Sequence, residues 1–214
     1  MKPWFILSPC GTSILTNGAT EAQRKSLSQY ANAQTLAEIP EGDRNLLEKR
    51  IDEVKSKLAQ ATEKEAAQMS AELNGIIKLY KGQLQGAGDS HCLLCTDTWL
   101  GETTARLVAS WLQQKMGVSQ VAVHRQTDLR TADVMEFQSA LSDLVRWAEE
   151  TIPGYQAAGY HVVFNLTGGF KSVQGFLQTL AMFYADETIY IFETATDLLR
   201  IPRLPVRLNV LEEV

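Results

Sequence analysis

The sequence predicts an α/β fold, a Rossmann-like three-layer domain with a mainly parallel sheet, from three observations. Short apolar runs of strand length alternate along the chain with longer segments of helical period. The runs are apolar at nearly every position, as expected of strands that helices cover on both faces. Strands separated by helices pair in parallel through crossover connections. We therefore expect residues 1–214 to form a single domain.

The predicted elements follow one another in a regular order. The strands are Trp4–Pro9, His91–Thr96, Val118–His124, Tyr160–Thr167 and Thr188–Glu193. The segments of helical period are Thr20–Glu38, Asp43–Tyr80, Gly101–Met116, Asp133–Thr151 and Phe170–Ala185. After the last of these strands, Pro202 and Pro205 exclude a helix and favour an edge strand or an extended tail.

A helical insertion, residues 43–81, separates the first predicted strand from the second. Its apolar residues recur at helical spacing in two stripes, Leu47, Ile51, Val54 and Leu58, then Met69, Leu73, Ile76 and Tyr80. Residues Thr62–Glu65 have the form of a capping box, which indicates a helix start. We predict either one long bent helix or a helical pair. It serves either as a cover over the sheet or as a lid or dimer contact.

Charge and hydrophobicity exclude several classes of protein. The net charge of −5 opposes the binding of long DNA or RNA, but it allows a small anionic ligand at a local site. No apolar run reaches the roughly 18 residues that a membrane span needs. The N-terminus also lacks the layout of a signal peptide. We therefore expect a cytoplasmic protein with no membrane segment.

The cysteines and histidines do not indicate a metal site. Cys92 and Cys95 have the spacing of a C-x-x-C motif, but residues three apart on a strand point to opposite faces. His91, His124 and His161 fit no metal-binding motif. We expect reduced thiols, structural histidines, and neither a metal nor a cofactor.

Three loops follow the carboxyl ends of predicted strands, at the edge where parallel α/β sheets bind ligands. The first contains Gly11, Thr12, Ser13 and Asn17. A glycine among hydroxyl residues allows the backbone to approach a phosphate, and the side chains add hydrogen-bond donors. The alternative is a turn in which the Ser and Thr residues only cap a helix.

The second loop contains Thr96, Asp97, Thr98 and Trp99. Hydroxyl groups again cluster at a strand end, and the indole of Trp99 offers a surface on which a base can stack. The alternative is a tryptophan that packs on its own loop, with Asp97 as a helix cap.

The third loop, with Thr167, Gly168, Gly169, Phe170 and Lys171, is the most informative. Two consecutive glycines free the backbone to surround an anion, and Lys171 adds a positive charge at the start of the next helix. The motif lacks the spacing of a P-loop, which argues against a nucleotide triphosphatase. The alternative is an ordinary turn beside a solvated lysine.

The first and third loops belong to a pair of longer motifs, Gly11–Asn17 and Asn165–Lys171. Together they resemble the CRISPR-associated Rossmann-fold (CARF) family, which includes stand-alone ring nucleases and the sensor domains of type III CRISPR ancillary ribonucleases. The segments Ser70–Asn74, Leu94–Thr98 and Ile201–Pro205 are similar as well. The resemblance implies a homodimer with one symmetric pocket. It also implies a cyclic oligoadenylate ligand, most often the four-membered ring.

The resemblance further implies a reaction. In ring nucleases a ribose 2′-oxygen attacks the adjacent phosphate without a metal, and by motif Ser13 and Lys171 occupy the positions of the two important residues. Cys10 and Trp99 depart from the family pattern. The alternative function is a non-catalytic or slowly cleaving sensor that controls a fused or separate effector. A dinucleotide-binding enzyme is disfavoured because the first loop lacks G-x-G-x-x-G.

Overall fold

The computed structural model describes residues 2–81, 88–192 and 197–205. Its strands are β1 Trp4–Pro9, β2 Ser90–Cys95, β3 Gln120–Arg125, β4 His161–Asn165, β5 Glu187–Tyr190 and β6 Leu199–Pro202. They form one sheet in the order β3-β2-β1-β4-β5-β6. The pairs from β3 to β5 are parallel, and β6 pairs antiparallel with β5. The predicted fold class and the predicted edge strand at the end of the sheet are therefore confirmed.

The helices connect these strands and differ from the predicted segments at several ends. They are α1 Ser13–Thr16, α2 Glu21–Gln29, α3 Glu41–Gln60, α4 Glu63–Met69, α5 Ala71–Tyr80, α6 Trp99–Lys115, α7 Val134–Ala157 and α8 Lys171–Tyr184, with a 3₁₀ turn at Leu36–Glu38. Helix α2 is shorter than predicted, and α1 was not predicted. Helix α7 runs past the predicted end at Thr151, through Pro153, because Ile152 and Tyr155 pack in the core beneath its last turn. Glu193, the predicted end of the fifth strand, lies outside the described residues.

Helices cover both faces of the sheet and form two cores. One face of the strands, which includes Ile6 and Cys95, packs against α3, α5 and α6. The other face, which includes Leu7 and Cys92, packs against α7 and α8. Cys92 and Cys95 thus lie on opposite faces, as predicted, and burial raises the pKa of each thiol to about 12. In the described parts of the chain, no helix is both long and apolar enough to cross a membrane.

The insertion between β1 and β2 contains three helices, α3, α4 and α5, so the prediction of one helix or a pair was wrong. Helix α4 begins after the capping box at Thr62, as expected. The unexpected break lies at Ser70, whose backbone is extended (φ −135°, ψ 129°) and whose hydroxyl accepts a hydrogen bond from the Leu73 N–H. Apolar residues of α3 and α5 pack in the first core, so the insertion covers the sheet.

The three histidines have structural surroundings. Burial lowers the pKa of His91 to about 4, and its Nε2 lies 3.1 Å from the Tyr80 hydroxyl. His161 lies 3.1 Å from a carboxylate oxygen of Glu187. His124, on the edge strand β3, forms a hydrogen bond with the side chain of Gln126. Each histidine therefore has a side-chain partner within the fold.

Candidate functional site

The first and third loops lie side by side at the carboxyl edge of the sheet, because β1 and β4 are neighbours. Two glycines make this approach possible. A Cβ atom on Gly11 would lie 2.9 Å from the carbonyl oxygen of Gly169, and one on Gly169 would lie 2.8 Å from Pro9 Cβ. Gly169 also has a φ of +96°, which L side chains rarely adopt. Both positions therefore require glycine.

A buried carboxylate, that of Glu72 in α5, joins the two loops. Its Oε1 accepts hydrogen bonds from the backbone N–H groups of Gly11 (2.8 Å) and Gly169 (3.1 Å). Its Oε2 accepts from the hydroxyls of Ser13 (3.1 Å) and Ser70 (2.6 Å). Glu72 is only 1% exposed, yet it has no salt bridge to a described residue. Among the described residues, the groups that donate hydrogen bonds to the Glu72 carboxylate are all uncharged N–H and O–H groups.

Glu72 also changes the role expected for the glycine loops. The sequence analysis assigned their amides to a ligand phosphate, but the anion that the amides of Gly11 and Gly169 hold is this carboxylate. A side chain on Gly168 would collide with the same carboxylate. Amides that remain for a ligand lie in the first turn of α8, at Lys171 and Ser172, where the N–H groups have no acceptor within the helix.

The side chains of the first loop bind the insertion. The Thr12 side chain forms no capping bond, so the helix-cap alternative is wrong for this residue. Ser13 Oγ donates to Glu72 and accepts a hydrogen bond from the Ala71 N–H (3.2 Å). Asn17 donates through Nδ2 to the carbonyl oxygens at the end of α4, at distances of 3.3 and 3.2 Å. Ser13 and Asn17 therefore fix the first loop to α4 and α5.

A buried arginine, Arg50, forms hydrogen bonds with the backbone of the first loop. Arg50 of α3 is 4% exposed, and its guanidinium donates to the carbonyl oxygens of Leu15 (3.0 Å) and Asn17 (2.7 Å). These carbonyls lie at the end of α1, where a helix has unsatisfied acceptors and favours a positive charge. Arg50 also forms an ion pair with Glu53 at 3.5 Å. The guanidinium of Arg50 thus stabilises the backbone of the first loop at the end of α1.

The third loop is held by two amide side chains. Asn165 Nδ2 donates to Ser8 Oγ (3.2 Å) and to the backbone carbonyl of Glu72 (3.1 Å), while its Oδ1 accepts from the Thr167 N–H (3.3 Å). Gln174 of α8 donates to the carbonyls of the loop backbone, at 3.3 and 3.2 Å. These bonds set the path of the backbone around Gly168 and Gly169.

The predicted side chains of the third loop point in different directions. The Thr167 hydroxyl is buried against α5 and has no hydrogen-bond partner among the described residues. Phe170 packs against the second core. Lys171, the first residue of α8, is exposed and forms no hydrogen bond or ion pair with any residue that the structure describes. Of these three side chains, Lys171 is the one available to a ligand.

In the second loop, Asp97 is part of an ion-pair network. It lies 2.8 Å from both Arg125 Nε and Gln34 Nε2, and it accepts a hydrogen bond from the Asp128 N–H (3.1 Å). Burial acts to raise the pKa of Asp97, but the hydrogen bonds from Asp128 and Arg125 outweigh it and hold the pKa below its ordinary value. The interpretation of Asp97 as a helix cap was wrong, since the cap of α6 is Thr98.

The remaining second-loop residues also have structural partners. Thr98 Oγ1 accepts from the Gly101 N–H (3.0 Å) and lies 2.8 Å from Thr96 Oγ1. The backbone N–H of Trp99 donates to the Ala33 carbonyl (2.8 Å), and the half-buried indole of Trp99 packs against the first core. Among the described residues, no side chain of this loop forms a hydrogen bond with the first or third loop. Glu72 thus joins the first and third loops, while the second loop follows β2, the other neighbour of β1 in the sheet.

The sequence analysis missed Glu72 and Arg50, although both interrupt an apolar stripe. Glu72 precedes Ile76 by four residues, so the two share a face of α5. Arg50 has the same relation to Val54 in α3. A charged residue at such a position is a sign that could have indicated a buried, hydrogen-bonded group.

Comparison with known proteins gives one informative match. A family model described as CRISPR-associated protein (Cas_APE2256) matches residues 67–204. Glu72 and Lys171 lie inside this range, and Ser13 lies before it. No curated protein matches the chain.

Proposed function

The chain belongs to the Cas_APE2256 family of CRISPR-associated proteins, and from this premise we propose that it binds a cyclic oligoadenylate and cleaves it without a metal. The four-membered ring is the first ligand to consider, because that ring is the usual ligand of the CARF proteins that the two loop motifs resemble. The proposed site consists of the first and third loops, with Ser13 and Lys171 as the residues that act on the ring.

One observation carries this proposal, namely the joining of the two loops through Glu72. Gly11 and Gly169 donate to the same carboxylate oxygen, and each lies two residues from a proposed catalytic side chain. Ser13 and Lys171 are 158 positions apart in sequence (171 − 13), yet each lies on one of the two loops that Glu72 joins. Glu72 holds the backbones of these two loops together, and such positioning of the segments that carry reacting groups supports rate enhancement.

The electrostatics also suit a small anion. The chain carries a net charge of −5, so attraction for a phosphate must be local. Lys171 provides an ammonium group with no carboxylate partner among the described residues, and it lies at the positive end of α8. In the proposed homodimer, two copies of this group face a ring whose twofold symmetry matches that of the interface.

The proposed reaction is a transesterification within the ring. A ribose 2′-oxygen forms a bond to the adjacent phosphorus as its proton passes to water. The bond from phosphorus to the 5′-oxygen breaks, and the 5′-oxygen takes a proton from water. The products carry a 2′,3′-cyclic phosphate at one end and a 5′-hydroxyl at the other. Ser13 orients the attacking 2′-hydroxyl, and Lys171 stabilises the negative charge that accumulates on the phosphate oxygens.

The test is incubation of the purified chain with cyclic tetra-adenylate in EDTA, with products separated by chromatography and identified by mass. Linear di-adenylate with cyclic phosphate ends is the expected product. Retention of the intact ring would replace cleavage with the sensor function, in which the bound ring controls a fused or separate effector. If rings of three to six adenylates were neither retained nor cut, both functions would be rejected.

A further inference from the structure

We propose that Glu72 is a positioning residue for ring cleavage, which makes Ser13 a hydrogen-bond acceptor toward the ribose 2′-hydroxyl. This inference rests on the proposed function, and it concerns a residue that acts through Ser13 and has no contact with the ring.

A serine hydroxyl has one proton to donate and two lone pairs that accept. Ser13 Oγ lies 3.1 Å from Glu72 Oε2 and 3.2 Å from the Ala71 nitrogen. A carboxylate only accepts, so the Ser13 proton is directed to Glu72. A backbone N–H only donates, so Ala71 fills one lone pair. With these partners among the described residues, one lone pair remains, and Ser13 can therefore only accept a hydrogen bond from a ligand.

The carboxylate is fixed just as completely. An ionised carboxylate has about four acceptor sites. In the described parts of the chain, Glu72 receives four donors, namely the N–H groups of Gly11 and Gly169 and the hydroxyls of Ser13 and Ser70. The Ser70 hydroxyl in turn accepts from the Leu73 N–H, which directs its proton to Glu72. The direction of every hydrogen bond around Ser13 is thereby determined.

An acceptor is the useful partner for the proposed nucleophile. A 2′-hydroxyl that donates its proton to Ser13 Oγ directs an oxygen lone pair away from Ser13, toward the phosphorus that it must attack. The same bond increases the electron density on the 2′-oxygen. A Ser13 that donated its own proton would have the opposite effect on both.

The substitution Glu72→Gln tests this assignment because it changes hydrogen-bond direction with little change in shape. The new amide must keep its oxygen on the N–H groups of Gly11 and Gly169, which places its NH₂ group against Ser13. Both lone pairs of Ser13 are then filled, and its proton must turn toward the ligand. We expect single-turnover cleavage at saturating ring to fall about 100-fold, with the half-saturating ring concentration changed less than about threefold.

Glu65→Gln is the matched control. It removes a carboxylate from the neighbouring helix α4, where Glu65 belongs to the capping box with Thr62, and a glutamine can take that place. Thermal unfolding of both variants separates loss of folded protein from loss of chemistry. A structural role for Glu72 is separated by a double-mutant cycle. If Glu72 acts through Ser13, then Glu72→Gln has no further effect on cleavage in a Ser13→Ala background.

A second measurement does not depend on the folding of the Glu72 variant. A ring with 2′-fluoro riboses cannot donate a hydrogen bond to Ser13. We expect it to bind the wild-type chain about tenfold more weakly than the natural ring, and to bind Ser13→Ala as well as the natural ring does. Equal affinity of the wild-type chain for the two rings would show that Ser13 does not accept from the 2′-hydroxyl, and the inference would be wrong.

The outcomes separate this inference from the proposed function. If the wild-type chain neither binds nor cuts a ring, the proposed function fails and the inference fails with it. If the wild-type chain cuts the ring and folded Glu72→Gln cuts it at the same rate, the inference alone is overturned. An effect of Glu72→Gln that persists undiminished without Ser13 also overturns it.

Discussion

Two acidic residues, Glu72 and Asp97, are buried near the carboxyl edge of the same sheet, and the protein stabilises their charges in different ways. Asp97 lies 2.8 Å from a guanidinium nitrogen of Arg125, which also forms an ion pair with Glu102 at 2.7 Å. Glu72 has hydrogen bonds to amides and hydroxyls and no salt bridge to any described residue. In an ion pair the cation is bound to the carboxylate, whereas neutral donors hold a carboxylate in place and leave nearby cations unbound.

The difference indicates where the protein keeps an available positive charge. Arg125 is occupied by Asp97 and Glu102, so it joins β3 to the second loop. At the Glu72 site the nearby cation of the third loop, Lys171, is exposed and remains available for a ligand. We infer that the Arg125 network stabilises the fold and that the Glu72 site orders the groups for chemistry. The predictions below test that division, from the largest effect to the smallest.

Lys171→Ala gives the largest expected effect. Loss of the ammonium group removes stabilisation of the charge that develops on the phosphate, so cleavage falls about 1,000-fold. Ring affinity falls about tenfold, because a charge-assisted contact to the ground-state phosphate is lost as well. Cleavage is measured under single-turnover conditions, and affinity by titration with labelled ring.

Lys115→Ala provides the control for Lys171→Ala. Lys115 is an exposed lysine in the last turn of α6, the helix that returns from the carboxyl edge of β2 to the start of β3. The substitution removes the same charge far from the two joined loops, and cleavage should not change. Unchanged affinity in Lys171→Ala would contradict the position proposed for the site.

Ser13→Ala is expected to act on chemistry more than on binding. Cleavage falls about 100-fold because the attacking oxygen loses its partner, while affinity falls less than about tenfold. The comparison requires both constants from the same preparation. If both fell equally, Ser13 would be an ordinary ligand contact, and the difference between the Glu72 site and the Arg125 network would be smaller than proposed.

Local patterns in the sequence predicted the frame of this site, while its contacts depend on distant residues. Strand β1 matches its prediction from Trp4 to Pro9, because apolar strands bounded by turn residues are recognisable locally. The bonds of Glu72 to Gly11 and Gly169 span 61 and 97 positions. No local pattern specifies such partners, since they depend on how α5 packs against the sheet.

The break between α4 and α5 shows the same limit at short range. The apolar spacing of the second stripe continues from Met69 to Leu73, which favours an uninterrupted helix. The folded chain instead gives Ser70 an extended backbone, and its hydroxyl donates to Glu72. The Ser70 hydroxyl thus caps α5 through bonds to Glu72 and Leu73, and the new helix start places Glu72 at the beginning of α5, beside both loops.

Arg125→Gln tests the other half of the comparison. The variant leaves the carboxylate of Asp97 without its cation and leaves Glu102 with Arg106 alone, and we expect the free energy of unfolding to fall by about 3 kcal/mol in chemical denaturation. Cleavage by the folded protein should fall far less than in Ser13→Ala. A large loss of cleavage at full stability would instead assign the second loop a direct part in ring recognition.

The smallest expected effect is a change in the pH dependence of stability. Burial acts to raise the pKa of Asp97, but the Asp128 amide and Arg125 hold it below its ordinary value, and hydrogen bonds from Arg125 and Arg106 lower the pKa of Glu102. A carboxyl group whose pKa is lowered by folding stabilises the protein above its unfolded pKa, and this contribution is lost as the pH falls through the folded pKa. In Arg125→Gln both pKa values move toward their ordinary range, so acidification from pH 7 removes less stability than in the wild type. Denaturation at a series of pH values measures this difference, with Arg146→Gln, which disrupts an exposed ion pair with Asp143, as the control. Parallel profiles for wild type and Arg125→Gln would mean that Arg125 does not lower the pKa of Asp97. The contrast between Asp97 and Glu72 would then consist only of their different hydrogen-bond partners.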